Sequence, residues 1–277
     1  MLLAIDVGNT NIVLGVFREA ALVHSWRLAT LRERTADELG ILVTGLCLHH
    51  QVTRQDITGI VMASVVPPLT GTMMTMAREY FGQTPLNVDP SRNAGMPILY
   101  ENPGEVGADR VVNGIAAYEQ YGRRDKRAVI VVDFGTATTF DVVSASGEYL
   151  GGVICPGPQI SADALFQRAA KLPRIEVRKP DRVIGKTTVA SMQAGLFWGY
   201  VDMVEGLVRR IRSELGGDVA VVATGGLAES VAPETKLVEH VDPELTLKGL
   251  RMVWERNQSG QHAGPAGDRN RPTHRIS

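Results

Sequence analysis

The stretch from Asp133 to Asp141, DFGTATTFD, constrains this chain more than any other part of it. An apolar run, Val129 to Val132, ends in a carboxylate, a glycine and small hydroxyl residues, then alternates back through Phe140 and Val142. That pattern reads as a strand, a tight turn and a returning strand, with an acid at the tip. The N-terminus says nearly the same thing: Leu3 to Ile5 leads into Asp6-Val7-Gly8-Asn9-Thr10-Asn11, and Ile12 to Val16 returns. Glycine after the acid lets the backbone turn tightly and lets a ligand approach the main chain, while Thr and Asn add donors without bulk. Such a turn suits phosphate oxygens. One copy alone is compatible with an ordinary hairpin, but two copies with the acid at the same strand end can face each other across a cleft.

The chain around these hairpins repeats itself. The first half reads as strands Leu2 to Val7, Ile12 to Phe17 and Leu22 to Ala29, then a helix from about Thr35 to His50 with Leu39, Leu42, Val43 and Leu46 on one face. Thr35 and Glu38 form a capping-box pair at its start, and His49 and His50 fall at its solvated end. A buried-type strand, Ile57 to Val66, precedes a helix opened by Pro67-Pro68 and ending near Gly82, in which Met73, Met74 and Met76 read as core filler. After a short strand, Pro85 to Val88, comes a long loop, Asp89 to Gly107, and a helix from Ala108 to about Tyr121. The charged connector Arg123 to Arg127 marks a domain boundary, giving halves 1–122 and 123–257.

The second half restarts with strands Ala128 to Val132, Thr139 to Val143 and Tyr149 to Ile154 and a short helix after Pro158. A polar crossing, Lys171 to Lys186, leads to a long helix from Thr188 to Leu215, strands Ala220 to Ala223 and Lys236 to Glu239, and a closing helix from Pro243 to Asn257. Residues 258–277 are rich in Gly, Pro, Arg and polar residues without apolar periodicity and are expected to be disordered. Successive hairpins followed by alternating helices and strands imply mixed sheets covered by helices. A duplicated α/β unit with an acidic hairpin in each copy is the signature of the actin, Hsp70 and sugar kinase architecture: two ribonuclease H-like halves with ATP between them.

Composition narrows the function. The 277 residues carry 29 basic and 30 acidic side chains, a net charge of −1, so no overall field attracts nucleic acid or an anionic membrane. Cys47 and Cys155 match no metal spacing and read as reduced, buried thiols. A charge at position 6 leaves no room for a signal-peptide core and no run reaches the length of a membrane span, so a cytoplasmic location is expected.

The residues DVGNTN (Asp6 to Asn11), GADR (Gly107 to Arg110), DFGTATTFD, GGVICPG (Gly151 to Gly157), TTVASMQAG (Thr187 to Gly195) and ATGGLA (Ala223 to Ala228) resemble the type III pantothenate kinase family, in order across residues 1–256. The resemblance implies transfer of the ATP γ-phosphoryl group to the terminal hydroxyl of pantothenate, the first step towards coenzyme A. It further implies a homodimer, magnesium with ATP, and a monovalent cation, potassium or ammonium. It assigns Asp6, Val7, Gly8, Asn9, Thr10, Asn11, Ile12 and Val13 to the ATP phosphates, Thr136 to ATP, and Gly225 and Gly226 to close approach of adenosine. Tyr100, Gly107, Ala108, Asp109, Arg110 and Thr188 fall at pantothenate contacts, Asp133 at the monovalent cation and Asp109 at the catalytic base. Asp6 suits the magnesium side, through water.

The residues themselves leave alternatives open. Asp109, in the first turn of a helix, also reads as an acid that complements the helix dipole, and Arg110 as a solvated surface side chain. Gly225-Gly226 is also compatible with a simple junction turn. A transcription accessory protein on the same nucleotide-binding fold, or a kinase of another small hydroxyl substrate, is the alternative function; intact Asp6, Asp109 and Asp133 argue against a dead enzyme.

Overall fold

The computed structural model of the chain describes residues 1–262. Its first half runs β1 (Leu2–Val7), β2 (Asn11–Arg18), β3 (Ala21–Ala29), α1 (Ala36–His49), β4 (Gly59–Ser64), α2 (Pro67–Phe81), β5 (Leu86–Asn87) and α3 (Ala108–Ala117). The second runs β6 (Ala128–Phe134), β7 (Ala137–Val143), β8 (Tyr149–Pro156), α4 (Pro158–Arg168), α5 (Thr188–Leu215), β9 (Val219–Gly225), α6 (Ala228–Val231), β10 (His240–Val241) and α7 (Leu245–His262). The sheet orders, β3-β2-β1-β4-β5 and β8-β7-β6-β9-β10, are the same arrangement twice. In each, the first strand pairs antiparallel with the second and parallel with the fourth. The fold is therefore a duplicated actin-like one, with two mixed five-stranded sheets covered by helices.

Strand parity decides where each sheet's acid points, because successive side chains leave opposite faces. Leu3, Ile5 and Val7 join the core under α1 and α2, whereas Leu2 and Ala4 face α3 and α7. In the second half Ile130, Val132 and Phe134 pack against α5, and Val129 and Val131 face α3. Asp6 continues the Leu2-Ala4 row and Asp133 the Val129-Val131 row, so both carboxylates lie on the side of α3, the helix that touches strands of both sheets.

Helix ends follow local chemistry. Thr35 caps α1 by accepting from the Glu38 amide while Glu38 accepts from the Thr35 amide at 2.8 Å. Thr35→Ala is expected to cost about 1 kcal/mol, seen as a lower denaturant midpoint at unchanged slope. Gly82 ends α2 in the left-handed conformation, with φ of 66°. Met73 and Met76 are buried, as core filler should be.

Several expectations need correction. The buried face of α1 is Leu39, Gly40, Val43 and Cys47, with Leu42 exposed and Leu46 only partly buried, because Gly40 takes up the Tyr80 ring; a Cβ there would lie 2.4 Å from it. His49 and His50 are exposed, as expected, with the His50 ring tilted against His24 at 4.2 Å between ring centres. The last strand is His240–Val241 rather than Lys236 to Glu239: its residues pair parallel with Val222 and Ala223. Cys47 is buried but Cys155 is only half-buried.

The closing helix does not stop at Asn257 but continues to His262; the rest of the expected disordered tail, 263–277, lies outside the described residues. This helix packs mainly against the first sheet, with Leu245 and Met252 reaching Val129, Val131, Ala220 and Val222 of its own. Leu247, Leu250 and Val253 share a core with Leu2, Ala4, Phe17 and Val61. Gly249 allows the approach to α3, since a Cβ there would sit 2.0 Å from the Val112 carbonyl oxygen.

Candidate functional site

The two hairpin turns meet. Thr10 Oγ1 lies 2.7 Å from Thr136 Oγ1, a hydrogen bond between the halves. Within the first turn the Gly8 amide donates to the Asn11 carbonyl at 3.0 Å. Behind the turns stand Asp6, at the end of β1, and Asp133, near the end of β6. Asp109 joins them from the first turn of α3. Gly107, the residue before α3, is tight against that carboxylate: a Cβ at Gly107 would lie 2.5 Å from Asp109 Oδ1.

The three carboxylates feel one another. Burial, then Asp109 and Asp133, hold the Asp6 carboxyl well above the usual carboxylate range. Asp133 is pushed up to about 7 by burial and by the charges of Asp109 and Asp141, against an opposing hydrogen bond from Asn113. Asp109 is raised by burial, with the Arg110 amide and the Arg110 charge pulling the other way. Asp6 Oδ1 is buried without a hydrogen-bond partner. Buried like charges of this kind are costly unless a cation or proton neutralises them. Among the described residues no three His, Cys, Asp or Glu side chains close around one metal ion. The donors therefore fit cations held largely by water and phosphate oxygens, as magnesium prefers.

Asp133 is held on two sides. Asn113 Nδ2 donates to its Oδ2 at 3.1 Å, and Thr246 Oγ1 of α7 donates to Asn113 Oδ1 at 2.7 Å. Gly225, with φ of 86°, faces its other oxygen; a Cβ there would lie 2.6 Å from Asp133 Oδ1 and 2.7 Å from the Phe134 nitrogen. This crowding by Asp133 and Phe134 is the local reason for glycine at 225. The Gly226 amide donates to the Phe134 carbonyl at 3.1 Å.

Arg110 is not a solvated side chain. Its Nε is 2.7 Å from Asp141 Oδ1, and its side chain is only 12% exposed. Tyr100 is exposed, with its ring about a van der Waals contact from a Cβ built on Gly151. Ala108 is buried at the start of α3. Thr188 lies on a different element from the acids. It is exposed at the start of α5, between Lys186 and Ala190, which line a separate depression of about 450 Å³ with Arg178, Lys179 and Arg182. Sequence reasoning missed roles for Asp141, Asn113 and Tyr149. Asp141 was visible as an acid inside the run Phe140 to Val143, a buried charge that must have a partner.

The profile described as type III pantothenate kinase matches residues 2–210. The chain belongs to the type III pantothenate kinase family. Members named type III pantothenate kinase include one from Moorella thermoacetica, 55% identical over 257 residues, covering 93% of this chain and 100% of the relative. Another, from Myxococcus xanthus, is 56% identical over 259 residues, 94% of this chain and 100% of the relative. In fold, the family member resembles a Campylobacter jejuni protein described as a Baf family transcriptional activator, with a TM-score of 0.60 at 18% identity over 93% of this chain and 99% of that one. It also resembles component A of (R)-2-hydroxyglutaryl-CoA dehydratase from Acidaminococcus fermentans, with a TM-score of 0.53 at 14% identity over 94% and 98% of the two chains. At these identities the likeness concerns the fold alone.

Proposed function

We propose that this chain phosphorylates pantothenate with ATP, giving 4'-phosphopantothenate at the entry to coenzyme A biosynthesis. Family membership supports the substrate pair, and the observation that carries the chemistry is the convergence of Asp6, Asp109 and Asp133 behind two joined phosphate-type turns. In phosphoryl transfer the protein mainly positions groups and neutralises charge, so few acids are needed. Asp6, Val7, Gly8, Asn9, Thr10, Asn11, Ile12, Val13 and Thr136 would line the ATP phosphates, with Gly225 and Gly226 beside adenosine. Asp109 would take the proton of the attacking hydroxyl, its raised pKa bringing it closer to a neutral working pH.

Asp6 would hold magnesium through water and Asp133 a monovalent cation, potassium or ammonium. Both ions would supply positive charge against phosphate oxygens. On the acceptor side, Tyr100, Gly107, Ala108 and Arg110 would hold pantothenate, Arg110 offering its planar fork to the carboxylate. Thr188, exposed at the start of α5, would add a further pantothenate contact.

The same reading includes a homodimer in the cytoplasm. Ile154 on the edge strand β8 and Ile160, Leu165 and Phe166 on α4 are exposed apolar side chains, a surface that a second copy would cover. No helix among the described residues is long and apolar enough to cross a membrane.

ADP release from magnesium and ATP, measured with and without pantothenate, tests the function. Release that depends on pantothenate is expected. Release without pantothenate would indicate transfer to water, and no release at all would favour another hydroxyl substrate or the transcription accessory role.

A further inference from the structure

Asp141 lies in the middle of β7, is fully buried and accepts three hydrogen bonds from three elements. Arg110 Nε of α3 and Tyr149 OH of β8 each donate to its Oδ1 at 2.7 Å, and Thr139 Oγ1 donates to Oδ2 at 2.9 Å. Strand parity explains the meeting: Thr139, Asp141 and Val143 share the face of β7 towards α3, opposite Phe140 in the α5 core. Burial pushes Asp141 up to about 6, while Arg110 and the hydrogen bonds from Tyr149 and Thr139 pull the other way.

The arrangement is one-sided. Guanidinium–carboxylate pairs are frequently bidentate, with two parallel N–H···O bonds. Here Asp141 takes only Nε, and Arg110 Nη2 is buried without a partner. An unpaired buried donor on a charged group is costly, and its natural partner is an anion that arrives with a ligand. Gly152 leaves room for this edge, because a Cβ there would sit 2.9 Å from Nη2 and 1.9 Å from the Phe140 carbonyl oxygen. Tyr149 adds a second connection: its amide donates to Pro97 and its carbonyl accepts from Leu99, each at 2.8 Å, which fixes the loop that carries Tyr100.

We propose that Asp141 is a positioning residue for Arg110: with Thr139 and Tyr149 it holds the guanidinium by Nε so that the free Nη edge receives the carboxylate of the acceptor substrate. The proposal rests on the pantothenate kinase reading above. It makes substrate recognition depend on a side chain that never touches the substrate, and it ties Arg110 and Tyr100 to one brace, Tyr149.

The experiment measures kcat and both KM values for the wild type, Asp141→Asn, Tyr149→Phe, Arg110→Gln and the Asp141→Asn/Arg110→Gln double variant. Asp141→Asn should raise the pantothenate KM about tenfold, the worth of one charge-assisted hydrogen bond, with the ATP KM within about twofold of wild type. Tyr149→Phe should move the same constant in the same direction by less. The double variant should be no worse than Arg110→Gln alone, because the two residues act as one unit. Parallel changes in both KM values, or additive losses in the double variant, would make Asp141 merely structural and overturn the proposal. If Asp141→Asn does not fold, Tyr149→Phe decides, and an unchanged pantothenate KM in it overturns the proposal. A wild type with no pantothenate-dependent turnover removes the underlying reading and the proposal with it, whereas normal wild-type turnover with unmoved variants removes the positioning role alone.

Discussion

Replacing Asp109 with asparagine should lower kcat by about 10²-fold or more, the usual worth of general base catalysis, while the ATP KM stays nearly unchanged. The expectation comes from its place: it stands in the first turn of α3, facing Asp6 and Asp133, and not in the turns proposed for phosphate. The same substitution removes one of three mutually repelling charges and keeps the side-chain shape. The melting temperature of the ligand-free protein should therefore hold or rise. A large loss of turnover at full stability separates a base from a structural acid. A variant within a factor of three of wild type would take Asp109 out of the role.

The second large effect concerns the cation proposed for Asp133. Turnover should rise steeply with potassium or ammonium and stay low in sodium alone at fixed ionic strength, and Asp133→Ala should abolish that response with circular dichroism unchanged. The competing view makes Asp133 a second magnesium-side acid and leaves monovalent ions to act through screening alone. Equal rates in potassium and sodium would sink the cation assignment. A second readout needs no turnover. With no cation bound, the Asp133 carboxyl is raised from its ordinary 3.8 to about 7, so the folded state holds its proton more tightly than the unfolded state does. Stability from this group is present at low pH and is lost as pH rises through that window. A cation that binds the ionised form should flatten the slope, so thermal melts across it with and without potassium report binding directly.

Much of this was legible in the sequence, for identifiable reasons. The hairpin pair declares itself because the acid, the glycine and the alternation are all local. The span of α5, Thr188–Leu215, is legible because an N-cap threonine and a terminal glycine frame a sustained apolar face. The rotation of α1 is not, because it depends on the Tyr80 ring lying over Gly40, a contact between two helices. Arg110 read as a surface residue because its partner is 31 positions away. The short β10 was misplaced because Lys236 to Glu239 has the composition of a strand, whereas pairing with β9 is settled by main-chain register. The site acids were legible one by one, but the braces behind them, Asn113 with Thr246 and Asp141 with Tyr149, exist only in three dimensions.

The docking of α7 on the first sheet has a consequence for how the chain is made. A ribosome delivers β1 well before α7, yet Leu2, Ala4, Phe17 and Val61 share a core with Leu247, Leu250 and Val253 as well as with Val111, Val112 and Ile115 of α3. That side of the earliest sheet is therefore covered only in part, by α3, until α7 has emerged. Completion of the first half's core therefore waits for a helix that follows the second half's strands, which couples the folding of the two.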